Sequence, residues 1–270
     1  MRRYGFGVEV IATGDEIMFG RIVDTNSSWI ARRSAELGAR LRRVTCVGDD
    51  VDEISGVLGE ALGRSNDLIV LTGGLGPSED DMTVEAVGAA VGRRVVLDPE
   101  AVERIRRSYE ERGIAHFSRG ERMARVLDGS RALPNPVGMA VGMEVRVGRT
   151  AVMTFPGVPS EMRAMFDAYA APLIEEGASS RFLARTVVAR VVFRDFFPVY
   201  RAMQRDYPDV YLKNAATPPE SADGRLEVRE IKVDVVVEGG SSEESEVLME
   251  EVLDEFDRRL GKVGGRILRG

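Results

Sequence analysis

The chain has 270 residues, 44% of them hydrophobic, enough for one large core or two smaller ones and too apolar for a disordered segment. Its formal charge of −7 argues against nucleic acid as the main partner, because backbone binding depends on clustered Lys and Arg. One cysteine, Cys46, and one histidine, His116, exclude an internal disulfide, a cysteine cage and any multi-histidine metal site. Cys46 is expected in the core, and His116 on the surface or in packing rather than in catalysis. No apolar run approaches the ~18 residues of a membrane span, and no basic leader precedes a cleavage site, so a soluble cytoplasmic protein without a membrane partner is expected.

Residues 6–12 read as a first strand ending at Thr13-Gly14-Asp15-Glu16, with a loop through Gly20. Asp24-Thr25-Asn26 are N-cap types, opening a helix over 26–37 that Gly38 stops. A second strand over 40–47 ends at Gly48-Asp49-Asp50, and a helix over 52–62 carries Ile54, Leu58 and Leu62 on one face. The unbroken apolar run 68–71 predicts a strand buried on both faces. A helix over 82–91 follows, so the order strand, helix, strand, helix, strand, helix predicts a parallel sheet covered on both sides. Asp98-Pro99 starts a helix with Val102, Ile105 and Tyr109 as its stripe, and a short helix is expected over 120–126. Residues 133–138 are too proline-rich for regular structure, and 139–147 with 150–155 predict a hairpin. Residues 156–161 open a helix that runs to about 173 and ends the first domain, set at 1–174; the polar stretch 175–180 is the candidate boundary. A second domain, 180–262, reads as a strand over 185–193, a helix over 197–205, a strand over 210–213, a loop through Pro218-Pro219, a strand over 228–237 and a helix over 243–260. Met249, Val252, Phe256 and Leu260 form the stripe of that last helix.

The first three strands deliver Thr13 to Glu16, Asp49-Asp50, and Thr72-Gly73-Gly74-Leu75-Gly76-Pro77 to one sheet edge, where ligands of parallel sheets bind. Three glycines in four positions leave backbone N–H groups open to a phosphate or sugar. Ser78 and Asp81 have the spacing of a capping box, and acids in a first helical turn contribute about 0.3–1 kcal/mol each, so Glu79 and Asp80 read equally as helix-starting residues. Adjacent helical residues point about 100° apart, so Asp80 and Asp81 are not expected to face one site together. Carboxylates beside a phosphate cradle repel a bare phosphate, and a divalent cation resolves the conflict: Mg2+ takes one or two carboxylates with phosphate and water. The dinucleotide fingerprint and the Gly-Lys-Ser/Thr phosphate loop do not occur.

Thr13-Gly14-Asp15-Glu16, the run Gly20 to Asn26, Val47-Gly48-Asp49-Asp50, Thr72 to Pro77 with Asp80 to Thr83, Leu133-Pro134-Asn135-Pro136-Val137-Gly138 and Pro156-Gly157-Val158-Pro159-Ser160-Glu161-Met162 resemble, in order, the amino-terminal part of the CinA (competence/damage-inducible) family. The resemblance implies a three-layer α/β/α molybdopterin-binding-like domain with a mostly parallel sheet, followed by a small α+β KH-type module, and no carboxy-terminal deamidase domain. Residues 180–260 hold no Gly-x-x-Gly sequence and carry an acidic excess, so no RNA partner is expected of the module.

By the same resemblance, the loop Gly73 to Pro77 holds the ligand and the aspartates Asp49 and Asp81 serve magnesium or another divalent metal. The expected site is then Asp15, Glu16 and Asp81 as catalytic residues and Thr13, Gly14, Asn26, Thr72, Gly73, Gly74, Leu75, Gly76, Pro77, Asn135 and Gly157 as substrate-binding ones. The expected function is a metal-dependent nucleotide pyrophosphatase of ADP-ribose type, a hydrolase acting on a diphosphate bond. Molybdopterin binding or adenylyl transfer, and non-catalytic binding of a pterin or nucleotide, are the alternatives. A homo-oligomer is expected.

Overall fold

The structure, a computed structural model, describes residues 5–114, 117–217 and 226–268. His116 and Pro218-Pro219 lie outside the described residues. The chain divides into two compact units, Met1–Ala178 and Ser179–Gly270.

In the first unit, β1 (Gly7–Thr13) and β2 (Arg40–Val47) are parallel, and β3 (Leu68–Thr72) lies parallel on the other side of β1. The expected hairpin forms as β7 (Gly142–Val147) and β8 (Thr150–Phe155), and β8 joins the sheet parallel to β3. With β6 (Arg131–Leu133) the order is β2-β1-β3-β8-β7-β6.

Strand alternation sorts the side chains into two cores. Ile11, Ile69, Leu71 and Val152 pack with α3 (Val51–Gly63), α4 (Thr83–Val91) and α5 (Pro99–Glu111). Val8, Val10, Leu68, Val70 and Phe155 pack on the opposite face with Ile30 of α2 (Thr25–Glu36) and with α7 (Pro159–Met165) and α8 (Ala171–Gly177). A π-helical turn, Phe166–Ala170, joins these last two helices, and α8 takes in Glu175–Gly177, which the sequence reading left to a linker. All of β3 is buried, as its composition predicts, because helices cover both faces. Each fully buried aliphatic side chain contributes about 1.5–3 kcal/mol.

Four local expectations are corrected. Residues 15–18 form a short helix, α1 (Asp15–Met18), rather than a loop. The region 120–126 is a 3-10 turn over Glu121–Ala124 running into β5 (Arg125–Leu127), which pairs with β4 (Val95–Leu97). The Ser78/Asp81 pair does not open a helix: the Asp81 side chain accepts from Ser78 N at 2.8 Å, closing a turn, and α4 starts at Thr83. Cys46 is exposed, because β2 is the edge strand and helices cover it only in part.

Glu9, fully buried on β1, holds Arg64 and Asn66 and ties the end of α3 to the start of β3. Its burial is compensated by the guanidinium, whose own pKa the pairing raises.

The second unit is α+β. β9 (Arg181–Val192), β10 (Tyr211–Asn214), β11 (Val228–Gly239) and β12 (Arg266–Leu268) form an antiparallel sheet in the order β10-β11-β9-β12. The stripe Met249, Val252, Phe256 and Leu260 of α10 (Ser242–Gly261) is fully buried, as predicted. α9 (Phe193–Asp206) starts four residues before the expected 197, because Phe193 and Phe196 lead its buried stripe and do not belong to the strand.

Candidate functional site

Strand register brings the carboxyl ends of four strands level: Thr13 pairs with Val47, Ala12 with Thr72, and Thr72 with Phe155. The next residues are Gly14, Gly48, Gly73 and Pro156. Since β2 and β3 flank β1 on opposite sides, the chain diverges there and leaves a crevice. A cavity of about 630 Å³ occupies it, within the range of small-molecule sites.

Gly73 and Gly74 build the cradle. Both have positive φ, 115° and 62°. A Cβ on Gly73 would lie 2.4 Å from the Thr13 carbonyl oxygen, and one on Gly74 would lie 2.3 Å from Thr83 Oγ1. Thr83 Oγ1 donates to Gly73 O at 2.9 Å and meets Thr13 Oγ1 at 3.2 Å, so the start of α4 locks the loop onto β1. Gly73 N donates to Phe155 O, which removes it from the expected ligand donors. Among the described residues, none accepts a hydrogen bond from the amides of Gly74, Leu75 or Gly76. These three N–H groups are the available donors, since Pro77 has none.

The acids face this loop. Asp49 and Asp15 clamp each other: Asp49 N donates to Asp15 Oδ1 at 3.2 Å and Asp15 N to Asp49 Oδ2 at 3.1 Å. Asp15 does not line the cavity; Glu16, Asp24, Asp49, Asp80, Asp81 and Glu161 do, and among the described residues no basic side chain lines it. Of the Asp15/Glu16 pair it is therefore Glu16 that lines the cavity, while Asp15 is hydrogen-bonded to Asp49. Asp80 and Asp81 both reach the cavity, contrary to expectation, because neither is helical. Asp50 is a cap: its Oδ1 accepts from Asp52 N and Glu53 N at 2.9 Å each.

Burial pushes the Asp49 carboxyl above its ordinary value, the Asp15 N–H opposes this, and the charges of Asp15, Glu16 and Asp81 add to the rise. The ionised form is thus costlier folded than unfolded, so the stability Asp49 contributes is full below the ordinary carboxylate range and lost as pH rises through the raised value. Asp49→Asn is expected to raise the melting temperature near pH 7.5 in chelator, with the gain over wild type vanishing near pH 3. Mg2+ is expected to raise the wild-type midpoint and leave the variant's unchanged; thermal denaturation at both pH values measures this.

Of the residues expected to bind substrate, Thr13, Gly14, Asn26, Thr72, Pro77 and Gly157 line the cavity, as does the loop Gly73 to Gly76. Asn26 Nδ2 donates to Thr72 Oγ1 at 3.1 Å and to Gly157 O at 2.8 Å. Asn135 is buried but does not line it. Its Oδ1 accepts from Val137 N and Gly138 N, at 3.1 and 2.9 Å, and its Nδ2 donates to Glu161 Oε2 at 2.6 Å. Glu161 is the residue the sequence reading passed over, although it stands in a quoted motif directly after β8. Ile22, Val23, Met123, Met139 and Val158 supply apolar walls.

A family model described as "probable molybdopterin binding domain" matches residues 9–176, which span this whole site. The chain belongs to that family. A protein of Aeropyrum pernix is 36% identical over 260 residues, covering 96% of this chain and 95% of its own. A CinA-like protein of Dictyoglomus thermophilum is 32% identical over 256 residues, 94% of this chain and 59% of that one, so the chain spans little more than half of that relative. Among solved structures, the protein CinA with unknown function from Thermoplasma acidophilum is 36% identical with a TM-score of 0.57, covering 63% of this chain and 98% of that one. The resemblance to CinA carried by the motifs holds, and with it the α/β molybdopterin-binding-domain fold. No helix among the described residues is long and apolar enough to cross a membrane.

Proposed function

We propose that this molybdopterin-binding-domain protein is a metal-dependent hydrolase of a nucleotide diphosphate bond, of ADP-ribose type. One observation carries the reading: among the described residues, three backbone amides without an acceptor stand in a cavity lined by six carboxylates and no basic side chain. The amides suit phosphate oxygens, while two unit charges about 4 Å apart at an effective dielectric near 20 repel by roughly 4 kcal/mol. A cation accompanying the diphosphate removes that conflict.

The raised Asp49 pKa is compatible with such a cation: burial is its main cause, and the negative charges of Asp15, Glu16 and Asp81 add to it. Among the described residues no three His, Cys, Asp or Glu side chains form a metal-ion cage. Mg2+ does not require such a cage: it takes one or two carboxylates and completes its shell with phosphate and water. Asp49 and Asp81 would hold it; when bound, such an ion neutralises phosphoryl oxygens and lowers the pKa of water. The chain's own contribution is placement. The amides of Gly74 to Gly76 hold the diphosphate, Glu16 orients water or a ribose hydroxyl, and Asp15 keeps Asp49 in position.

A second reading, molybdopterin binding or adenylyl transfer, draws on the family description and uses the same cradle. Mass spectrometry of a matrix of metals against ADP-ribose, NAD, FAD and molybdopterin with ATP separates the two. AMP and ribose phosphate formed only with a divalent metal is the expected result. Adenylylated pterin selects the second reading, and ligand retained without product selects a binder. The proposed homo-oligomer is checked by light scattering.

A further inference from the structure

Two hydrogen-bond acceptors on side chains that line the cavity have no donor among the described residues. Asn26 is 8% exposed, and its Oδ1 is buried without a hydrogen-bond partner among the described residues. Its orientation is not open to exchange: Nδ2 donates to Gly157 O, and a carbonyl only accepts. Glu161 lines the same cavity. Its Oε2 accepts from Asn135 Nδ2, and that amide is also fixed, because Asn135 Oδ1 takes two backbone N–H donors. Gly138 leaves room for this carboxylate, since a Cβ there would lie 2.3 Å from Glu161 Oε2. No described residue donates to Glu161 Oε1.

Asn26 and Glu161 thus flank the turn at Pro156–Pro159 and offer acceptors only. Gly157 in that turn approaches the cradle, with its would-be Cβ 3.4 Å from Gly73 Cα. The cavity therefore offers two different sets of groups, the donor amides of Gly74 to Gly76 and the acceptors of Asn26 and Glu161, of which the Glu161 carboxylate repels phosphate. From this we infer that Glu161 and Asn26 form a specificity subsite that binds a pair of adjacent uncharged hydrogen-bond donors on the ligand, and that Asn135 positions the Glu161 carboxylate. A ribose cis-diol and the amino and ring N–H edge of a pterin both present such a pair. The ribose case rests on the diphosphate reading above; the pterin case does not. A first helical turn alone does not account for Glu161, because a capping acid needs neither the Asn135 clamp nor an orphaned amide oxygen beside it.

The test is calorimetry of wild type and Glu161→Gln with three probes: ADP-ribose, Mg2+-pyrophosphate and pterin. The glutamine side chain keeps the volume but turns a donor toward the ligand. ADP-ribose or pterin is expected to bind at least about tenfold more weakly, with pyrophosphate within about twofold, since hydrogen bonds to a charged group exceed neutral ones. The probe that loses affinity identifies the donor pair. Wild type is also titrated with ADP-ribose lacking ribose hydroxyls and with pterin dimethylated at its 2-amino group, so the outcome does not depend on one variant folding. The analogue of the affected probe is expected to reproduce the loss, with no further loss when variant and analogue are combined. Unchanged affinity for both organic probes, an equal loss for pyrophosphate, or no binding of either organic probe to wild type overturns the subsite. The diphosphate reading fails separately, through absent pyrophosphate binding while pterin binding still depends on Glu161.

Discussion

Asp81→Ala is expected to lower metal-dependent kcat/KM toward ADP-ribose by at least about a hundredfold, or about 2.7 kcal/mol at 1.36 kcal/mol per decade. The fold should survive. Asp81 is half-buried, lies outside any helix, and receives Arg122 through its backbone oxygen, which alanine retains. What alanine removes is the acceptor for Ser78 N, a loss of about 1 kcal/mol. Asp81→Asn keeps an acceptor for that N–H and discards only the charge, so it should match the alanine variant in activity while melting closer to wild type. Turnover near the wild-type level in both variants, with circular dichroism unchanged, would remove Asp81 from the mechanism and the diphosphate reading with it.

Gly73→Ala has the largest expected effect on stability. A φ of 115° is strained for any L side chain, and the new Cβ would meet the Thr13 carbonyl oxygen at 2.4 Å and Thr13 Oγ1 at 2.6 Å. The first of these is backbone, at the end of a strand held on both sides, so the neighbour has no rotamer by which to withdraw. Strained backbone and overpacking each cost about 1–3 kcal/mol, giving a loss of roughly 2–6 kcal/mol and a fall of about 4–24 °C in the melting temperature of the first unit. Ligand affinity should fall as well, because the amides of Gly74 to Gly76 are aimed by this residue. Gly59→Ala is the control: it lies in α3 with nothing within 4 Å of the added methyl, and should stabilise by about 1 kcal/mol. Equal melting temperatures for the two variants would contradict this account of the loop.

Much of the first unit is legible from the chain alone. An apolar run such as Leu68–Leu71 has one way to bury both faces, and caps such as Asp24 and Asp98 act through backbone a few residues away. The edge strands β4, β5 and β12 were not legible: three residues each, they exist through partners distant in sequence.

Which carboxylates share a cavity is a different kind of fact. Asp49 and Asp50 are indistinguishable in sequence, as neighbours at the end of a strand. The register of β1 against β2 turns one toward Asp15, while the following helix takes the other as its cap. Asn135 and Glu161 show the same division, since both stand in motifs leading to the site, but in the packed chain Glu161 lines the cavity while Asn135 lies behind it, hydrogen-bonded to Glu161. Periodicity, glycine placement and capping are short-range and determine the elements and the sheet edge. The direction of each side chain at that edge depends on contacts up to 131 residues apart, as between Asn26 and Gly157, and only the packed chain decides it.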